Sequence, residues 1–340
     1  MSTFFYSILF ISILYFIFNF VVNKFNILKT KFHNKHQKLI GQESIPQIGG
    51  LILFSYLLVH YDQFNYVIIL FSFFLFFVGF LSDINFLSSP NKRLLIQFII
   101  IILFLYFYDH RINEIRIEYF DELLENYYVK LIFTAFCLLI LINGSNFIDG
   151  SNGLNLGYFL SILLVINYLV LKEGLNFEIL TIQILLIVVL FLLILNFFNF
   201  IYLGDSGAYL IAFLVGIILI NIHSINLKIS PYFITLLLWY PAFENFFSII
   251  RKRLGKISPL DPDTKHLHQL IYKYLVTKKI KNMYANQLTS GIILFYNIVI
   301  FYFSINYISK TNQLVLFLIL NISVYLALYN FLKIKLEKKY

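Results

Sequence analysis

Residues 128–153 read YVKLIFTAFCLLILINGSNFIDGSNG, a nearly uncharged apolar run that ends in a dense cluster of amides, hydroxyls and one carboxylate. An α-helix needs about 20 predominantly apolar residues to cross the hydrocarbon core of a bilayer, and runs of roughly that length recur from one end of the chain to the other. Of the 340 residues, 60% are hydrophobic and 13% charged, with a mean hydropathy of +0.82. Soluble domains carry about a quarter charged residues. The strict alternation of a closed β-barrel is absent. Composition and pattern together predict an all-α, polytopic integral membrane protein.

Eleven spans are expected, at 3–22, 47–60, 64–81, 93–108, 128–142, 154–171, 179–195, 207–222, 231–250, 288–308 and 313–332. Loop charge orients them, because Lys and Arg accumulate on the cytoplasmic side. Residues 23–46 hold Lys24, Lys29, Lys31, Lys35 and Lys38 against Glu43, and 251–286 hold nine Lys or Arg against Asp261 and Asp263. Residues 109–127 reverse the balance, with Arg111 and Arg116 against six acids. The N-terminus is therefore expected outside and the C-terminus, with four Lys and one Glu after residue 332, in the cytoplasm. Because the first charged residue is Lys24, the segment from Met1 to Val22 reads as a retained helix rather than a cleaved leader. No repeat or linker divides 1–340, so a single membrane-embedded domain is expected. Cys137 is the only cysteine, which excludes an intrachain disulfide. The 40 Phe and 25 Tyr fall mostly inside the spans and read as lipid-facing or packing residues. The net charge of +9 is explained by the cytoplasmic loops and needs no nucleic acid.

Four polar patches interrupt the spans: Ser82-Asp83, Asn143 to Gly153, Gly204-Asp205-Ser206-Gly207 and Asp261 to His268. Each follows a span running outside to inside, so all four are expected on the cytoplasmic face, where such groups at several helix mouths point to one shared polar site. Asn143, Asn146, Asp149 and Asn152 recur at steps of three, which on a helix aims four oxygen donors the same way, a set suited to a hard cation or a ribose. The plain alternative is an Asn- and Gly-rich turn. Asp205 between glycines can approach a phosphate or its metal, or can cap the next helix. Asp83 offers a general base, a metal ligand or a helix-end cap. His266 and His268, spaced by two, suit a shaped loop better than a zinc pair on a helix, and with Lys265 and the basic cluster Arg251-Lys252-Arg253 they fit an anion. The basic stretch up to Lys38, ahead of Pro46-Gln-Ile-Gly49-Gly50, suits an anionic lipid headgroup, or simply orients the chain.

Taken in order, Pro46-x-x-Gly49-Gly50, Gly79-Phe-Leu-Ser82-Asp83, Asn143-x-x-Asn146-x-x-Asp149-Gly-x-Asn152-Gly153, Tyr202-Leu-Gly204-Asp205-Ser-Gly207, Ser258-Pro259 and Pro262-Asp263-x-x-His266-Leu-His268 resemble the polyprenyl-phosphate N-acetylhexosamine-1-phosphate transferases. That membrane superfamily includes phospho-MurNAc-pentapeptide translocase, and eleven spans are similar to its polysaccharide-initiating branch. The chain departs from the usual pattern in three places: Ser82 stands where the family has Asp, Asn152 where many bacterial members have Asp, and Thr264 where Arg is common.

The resemblance implies that a UDP-linked HexNAc gives its sugar-1-phosphate to undecaprenyl phosphate, releasing UMP, at the start of a cell-envelope polysaccharide or O-antigen in a bacterial inner membrane. It implies Mg²⁺, with Mn²⁺ as a substitute, held by Asp205 and Asn146, and catalytic roles for Asp83, Asp149 and Asp205. Asp83 is expected to meet the acceptor phosphate, and His266 and His268 to grip the diphosphate or sugar. Lys38, Ser82, Asn143, Asn152 and Asn196 are expected as further substrate contacts, from loops near 23–46, 82–92, 143–153, 196–206 and 251–286. Oligomeric state is left open, a homodimer included. The rival readings are a polytopic transporter, disfavoured because polar groups gather at one face rather than at mid-span, and a non-catalytic relative that binds lipid or nucleotide. A CDP-alcohol phosphotransferase is excluded by the lack of its Asp-Gly-x-x-Ala-Arg signature.

Overall fold

The computed structural model describes residues 2–29, 45–256 and 265–337. These fold into α1 (Ser2–Phe25), α2 (Gly49–Val59), α3 (Tyr66–Asp83), α4 (Pro90–Phe107), α5 (Glu118–Glu125), α6 (Tyr127–Ile148), α7 (Leu154–Lys172), α8 (Ile179–Phe197), α9 (Gly204–Ile225), α10 (Pro231–Leu237), α11 (Trp239–Leu254), α12 (Leu267–Thr277), α13 (Asn282–Ser304) and α14 (Thr311–Glu337). Only two isolated β-bridges occur among the described residues, Lys29 to Pro46 and Gln47 to Tyr202. The all-α, polytopic expectation holds.

Helix starts follow local chemistry. Asn65 accepts the Val67 N–H at 2.8 Å, Asn126 caps α6 through the N–H groups of Tyr128 and Val129, and Pro90 and Pro231 open α4 and α10 where a missing N–H costs nothing. Each of the eleven expected spans contains helix, but two differ from a plain crossing. Nine helices among the described residues are long and apolar enough to cross a membrane. The span expected at 47–60 is α2, with 11 residues, about 16 Å at 1.5 Å per residue and so shorter than the hydrocarbon core. The span expected at 231–250 is broken into α10 and α11, bent by 74°. Pro241 explains the break: it has no N–H for the carbonyl four residues earlier, so the ladder cannot continue through Leu238.

The core is built around α9, whose residues from Ser206 to His223 are all buried. It packs against α2, α3, α6 and α7. Gly144 lets α6 close on the break, since a Cβ there would come 2.6 Å from the Pro241 carbonyl carbon.

The bundle has two distinct ends. At one, Arg116 bonds Leu227 O, Ser309 O and Thr311 Oγ1, His110 pairs with Ser224, and Thr181 donates to Gln63 O. The other end gathers residues 28–29, 46–50, 82–93, 149–153, 196–207 and 265–268, which hold all four polar patches as far as they are described. The start of α1 and the end of α14 lie at opposite ends, as an odd number of passes requires.

Candidate active site

Gly204 opens α9 at φ +77°, a backbone that L side chains rarely adopt, and a Cβ there would also stand 2.7 Å from Asp83 Oδ2. Asp83, the last residue of α3, turns its carboxylate onto the start of α9. It accepts the Asp205 N–H at 2.8 Å, the Ser206 N–H at 3.1 Å and the Ser206 hydroxyl at 2.7 Å. Two of the helix's orphan amides and its positive pole are thereby satisfied by an anion from another helix.

The contact is close because glycines clear the way. A Cβ on Gly79 would lie 2.7 Å from the Asp205 carbonyl carbon, one on Gly50 2.5 Å from Gly207 N, and one on Gly49 2.8 Å from Leu203 Cα. The amides of Gly49 and Gly50 donate to Tyr202 O and Leu203 O at 3.1 and 3.0 Å, and Tyr202 N to Pro46 O at 2.9 Å. The Pro46-x-x-Gly49-Gly50 and Gly79 motifs are thus the seat of the Gly204–Gly207 turn, which also explains why α2 begins inside the bundle.

Held by its backbone, Asp205 is left with a working side chain. Its Oδ2 accepts from Ser82 Oγ at 2.6 Å, Arg93 Nη1 at 2.5 Å and Tyr209 OH at 3.3 Å, while Oδ1 receives no hydrogen bond from the described residues. Arg93 also reaches Ser82 Oγ at 2.5 Å. With a neutral Ser at position 82, Asp205 alone balances this guanidinium.

Asp149 caps the end of α6, and its carboxylate has no hydrogen-bond partner among the described residues. Burial, and then the charges of Asp205 and Asp83, push its pKa well above the usual carboxylate range. Three acids distant in sequence therefore share one electrostatic pocket. Asn146 lies next to Ser145, whose hydroxyl donates to Ala208 O at 2.9 Å, and its amide also bonds no described residue.

His268 faces the same turn: a Cβ on Gly150 would come 2.7 Å from its Nε2. Only 1% of the residue is exposed, yet neither ring nitrogen has a partner among the described residues. Burial, opposed only partly by Glu244 and reinforced by His266, lowers its pKa to about 3 and keeps the ring neutral. His266 and His268 stack, centroids 5.7 Å apart and planes 11° apart. The pair aligns where such spacing allows it, off a regular helix: His266 is the extended N-cap of α12 and His268 lies in its first turn.

Several expected contacts prove to be committed elsewhere. Asn143 donates to Gln97 Oε1 at 3.1 Å and Leu139 O at 2.9 Å. Asn152 bonds Asn199, and its backbone is held by Asn286 and Ser290. Asn196 accepts the Gly153 N–H at 2.6 Å and donates to Ile201 O at 3.0 Å. These three amides brace the loops around the pocket. The step-of-three argument covers Asn143, Asn146 and Asp149 only, because α6 ends at Ile148 and Asn152 sits in a turn. Asp83 spends both carboxylate oxygens on α9 rather than standing free for an acceptor. Lys38, Ser258, Pro259 and 261–264 lie outside the described residues. No three His, Cys, Asp or Glu side chains form a metal-binding group among the described residues.

Residues 65–223, which hold the first three patches and all but the last two residues of α9, match the profile of glycosyl transferase family 4. The match covers 159 of the 340 residues. A relative in Bacillus subtilis (strain 168), described as a probable undecaprenyl-phosphate N-acetylglucosaminyl 1-phosphate transferase, is 24% identical over 247 residues, covering 69% of this chain and 68% of the relative.

Sequence reasoning passed over two residues, one inside the matched segment and one beyond it. Arg93 follows Asp83 by ten positions at the mouth of α4, and was read only as the start of a helix. Glu244 is the one charged residue in 231–250, and a carboxylate inside a span is itself a functional signal.

Proposed function

We propose that this protein is a glycosyl transferase family 4 member that transfers a HexNAc-1-phosphate from a UDP-sugar to undecaprenyl phosphate, with the polar end of the bundle in the cytoplasm and the N-terminus outside. Asp205 carries the reading: an acid fixed at a helix start, with one oxygen bonded by Arg93 and Ser82 and the other open toward the pocket. An oxygen of the acceptor phosphate attacks the sugar-bearing phosphorus, the bond from that phosphorus to the bridging oxygen breaks, and UMP leaves with the electron pair. The acceptor is a phosphate monoester, with a second pKa near 6, and needs no strong base. That agrees with Asp83 being spent on α9.

The donor set suits magnesium. Asp205 Oδ1, Asn146 and Asp149 are hard oxygen donors without hydrogen-bond partners among the described residues, and Mg²⁺ takes one or two carboxylates and fills its remaining positions with water and substrate phosphate. Bound there, the cation supplies charge neutralisation of the diphosphate and relief of repulsion among the acids. Arg93 anchors the far side of Asp205 and keeps its carboxylate aimed.

The test is transfer of label from a panel of UDP-HexNAc donors into undecaprenyl phosphate, with UMP release, in detergent with and without Mg²⁺. Label transfer that needs the cation supports the reading. Specific nucleotide binding without transfer would make the protein a non-catalytic relative.

A further inference from the structure

Glu244 is completely buried on α11. A carboxylate in such surroundings is tolerated only when its lone pairs are filled, and here they are filled from two other segments. His266 Nδ1 approaches Oε1 at 2.8 Å and the Leu267 N–H donates to it at 3.3 Å, while Tyr325 OH of α14 donates to Oε2 at 2.8 Å. An amide N–H on one oxygen and a phenol on the other call for an anion between them, so the proton of the His266 contact sits on Nδ1. The ring is clamped further between Phe147 of α6, centroids 5.1 Å apart, and His268. Its Nε2 bonds no described residue and, unlike both nitrogens of His268, is not sealed from solvent. Charge partner, tautomer and ring plane are therefore all set, and one nitrogen remains free.

We infer that Glu244 is a positioning residue, backed by Tyr325, which holds His266 with Nδ1 protonated so that Nε2 faces the diphosphate of the sugar nucleotide. The inference rests on the transfer reaction proposed above. A purely architectural role, pinning α12 to the bundle, would show the same hydrogen bonds but different kinetics. Aim matters most where charge develops in the transition state, so the loss belongs in kcat rather than KM.

The experiment uses the full chain in nanodiscs with the most active UDP-HexNAc. Glu244→Gln keeps shape and removes charge; it is expected to lower kcat on the order of 10²-fold, with KM changed by less than about threefold. Added to His266→Gln, the same change should cost less than about threefold more, because the two act as one unit. Tyr325→Phe, a gentler change if Glu244→Gln folds poorly, should cost a few-fold in kcat with His266 present and nothing without it. In ¹⁵N-histidine spectra the wild type should show His266 protonated on Nδ1, a signal that Glu244→Gln disperses. Equal losses from Glu244→Gln with and without His266, or an unchanged tautomer, would overturn the inference while leaving the transferase reading intact. A wild type with the expected tautomer but no transfer from any donor would instead remove the functional reading, and the catalytic consequence with it.

Discussion

Each end of the bundle carries arginines, and they are used in opposite ways. Away from the site, Arg111 gives Nε and Nη2 to Leu105 O and lies 4.8 Å over the Tyr127 ring, while Arg116 ties Leu227 O, Ser309 O and Thr311 Oγ1. Their anchors are chiefly backbone carbonyls, which cannot titrate, move far or exchange for a ligand. At the polar end Arg93 bonds only side chains, Asp205 and Ser82, and its neighbours keep unfilled positions: Asp205 Oδ1, the Asp149 carboxylate and both nitrogens of His268. One end is a strap whose arginines are tied mainly to fixed carbonyls, although Asn221 Oδ1 and His223 Nε2 beside it lack partners among the described residues. The other leaves polar groups unsatisfied, as a site must if it is to bind.

Four substitutions probe that contrast. Asp205→Ala should reduce label transfer on the order of 10³-fold, with little change in thermal stability beyond the lost Arg93 pair; near-normal turnover would strip the polar end of its centre. Asp149→Asn mimics the protonated form that the pocket favours. It should lower transfer on the order of 10²-fold while raising the melting temperature of the metal-free protein through about 1 kcal/mol of relieved repulsion, so a lower melting temperature would contradict the crowded-acid description. Arg116→Ala should do the reverse, costing about 1–2 kcal/mol of stability and leaving kcat per folded molecule unchanged; a kcat defect would show that the strap reaches the site.

The smallest effect concerns pH. His268 has a folded pKa of about 3, below the ordinary 6.5, so at intermediate pH the unfolded chain binds a proton that the folded chain refuses. Stability contributed by the neutral ring is complete above 6.5 and is lost as pH falls toward 3. His268→Gln should flatten this part of a melting-temperature profile taken from pH 7.5 to 5, and a parallel profile would mean that the ring is hydrated.

Much of this was legible in the primary structure, and the misses have physical causes. Hydropathy located helix at all eleven expected positions because burying a peptide in hydrocarbon demands it, but among the described residues nine helices are long and apolar enough to cross; it could not register that α2 starts inside the bundle on Gly49 and Gly50, or that Pro241 splits a span. The motifs named acids that the fold gathers at one end of the bundle. Asp83 was legible as a cap, yet the helix it caps begins at Gly204. Asn143, Asn152 and Asn196 carry the oxygen-rich chemistry of ligands, and only their partners, Gln97, Asn199, Gly153 and Ile201, reveal them as braces. Arg93 and Glu244 were overlooked because each reads locally as helix furniture.

Composition, span length and the order of the polar patches were sufficient to determine an all-α membrane bundle with its polar groups in a few short patches, since each depends on residue type and short-range spacing. Which oxygen of Asp205 stays open, which histidine is clamped and which is merely buried, and where a carboxylate serves a helix rather than a substrate were decided by contacts between residues up to 123 positions apart. Hydrogen bonds depend on tenths of an ångström and on direction, quantities that exist only once α3, α6, α9 and α11 have packed.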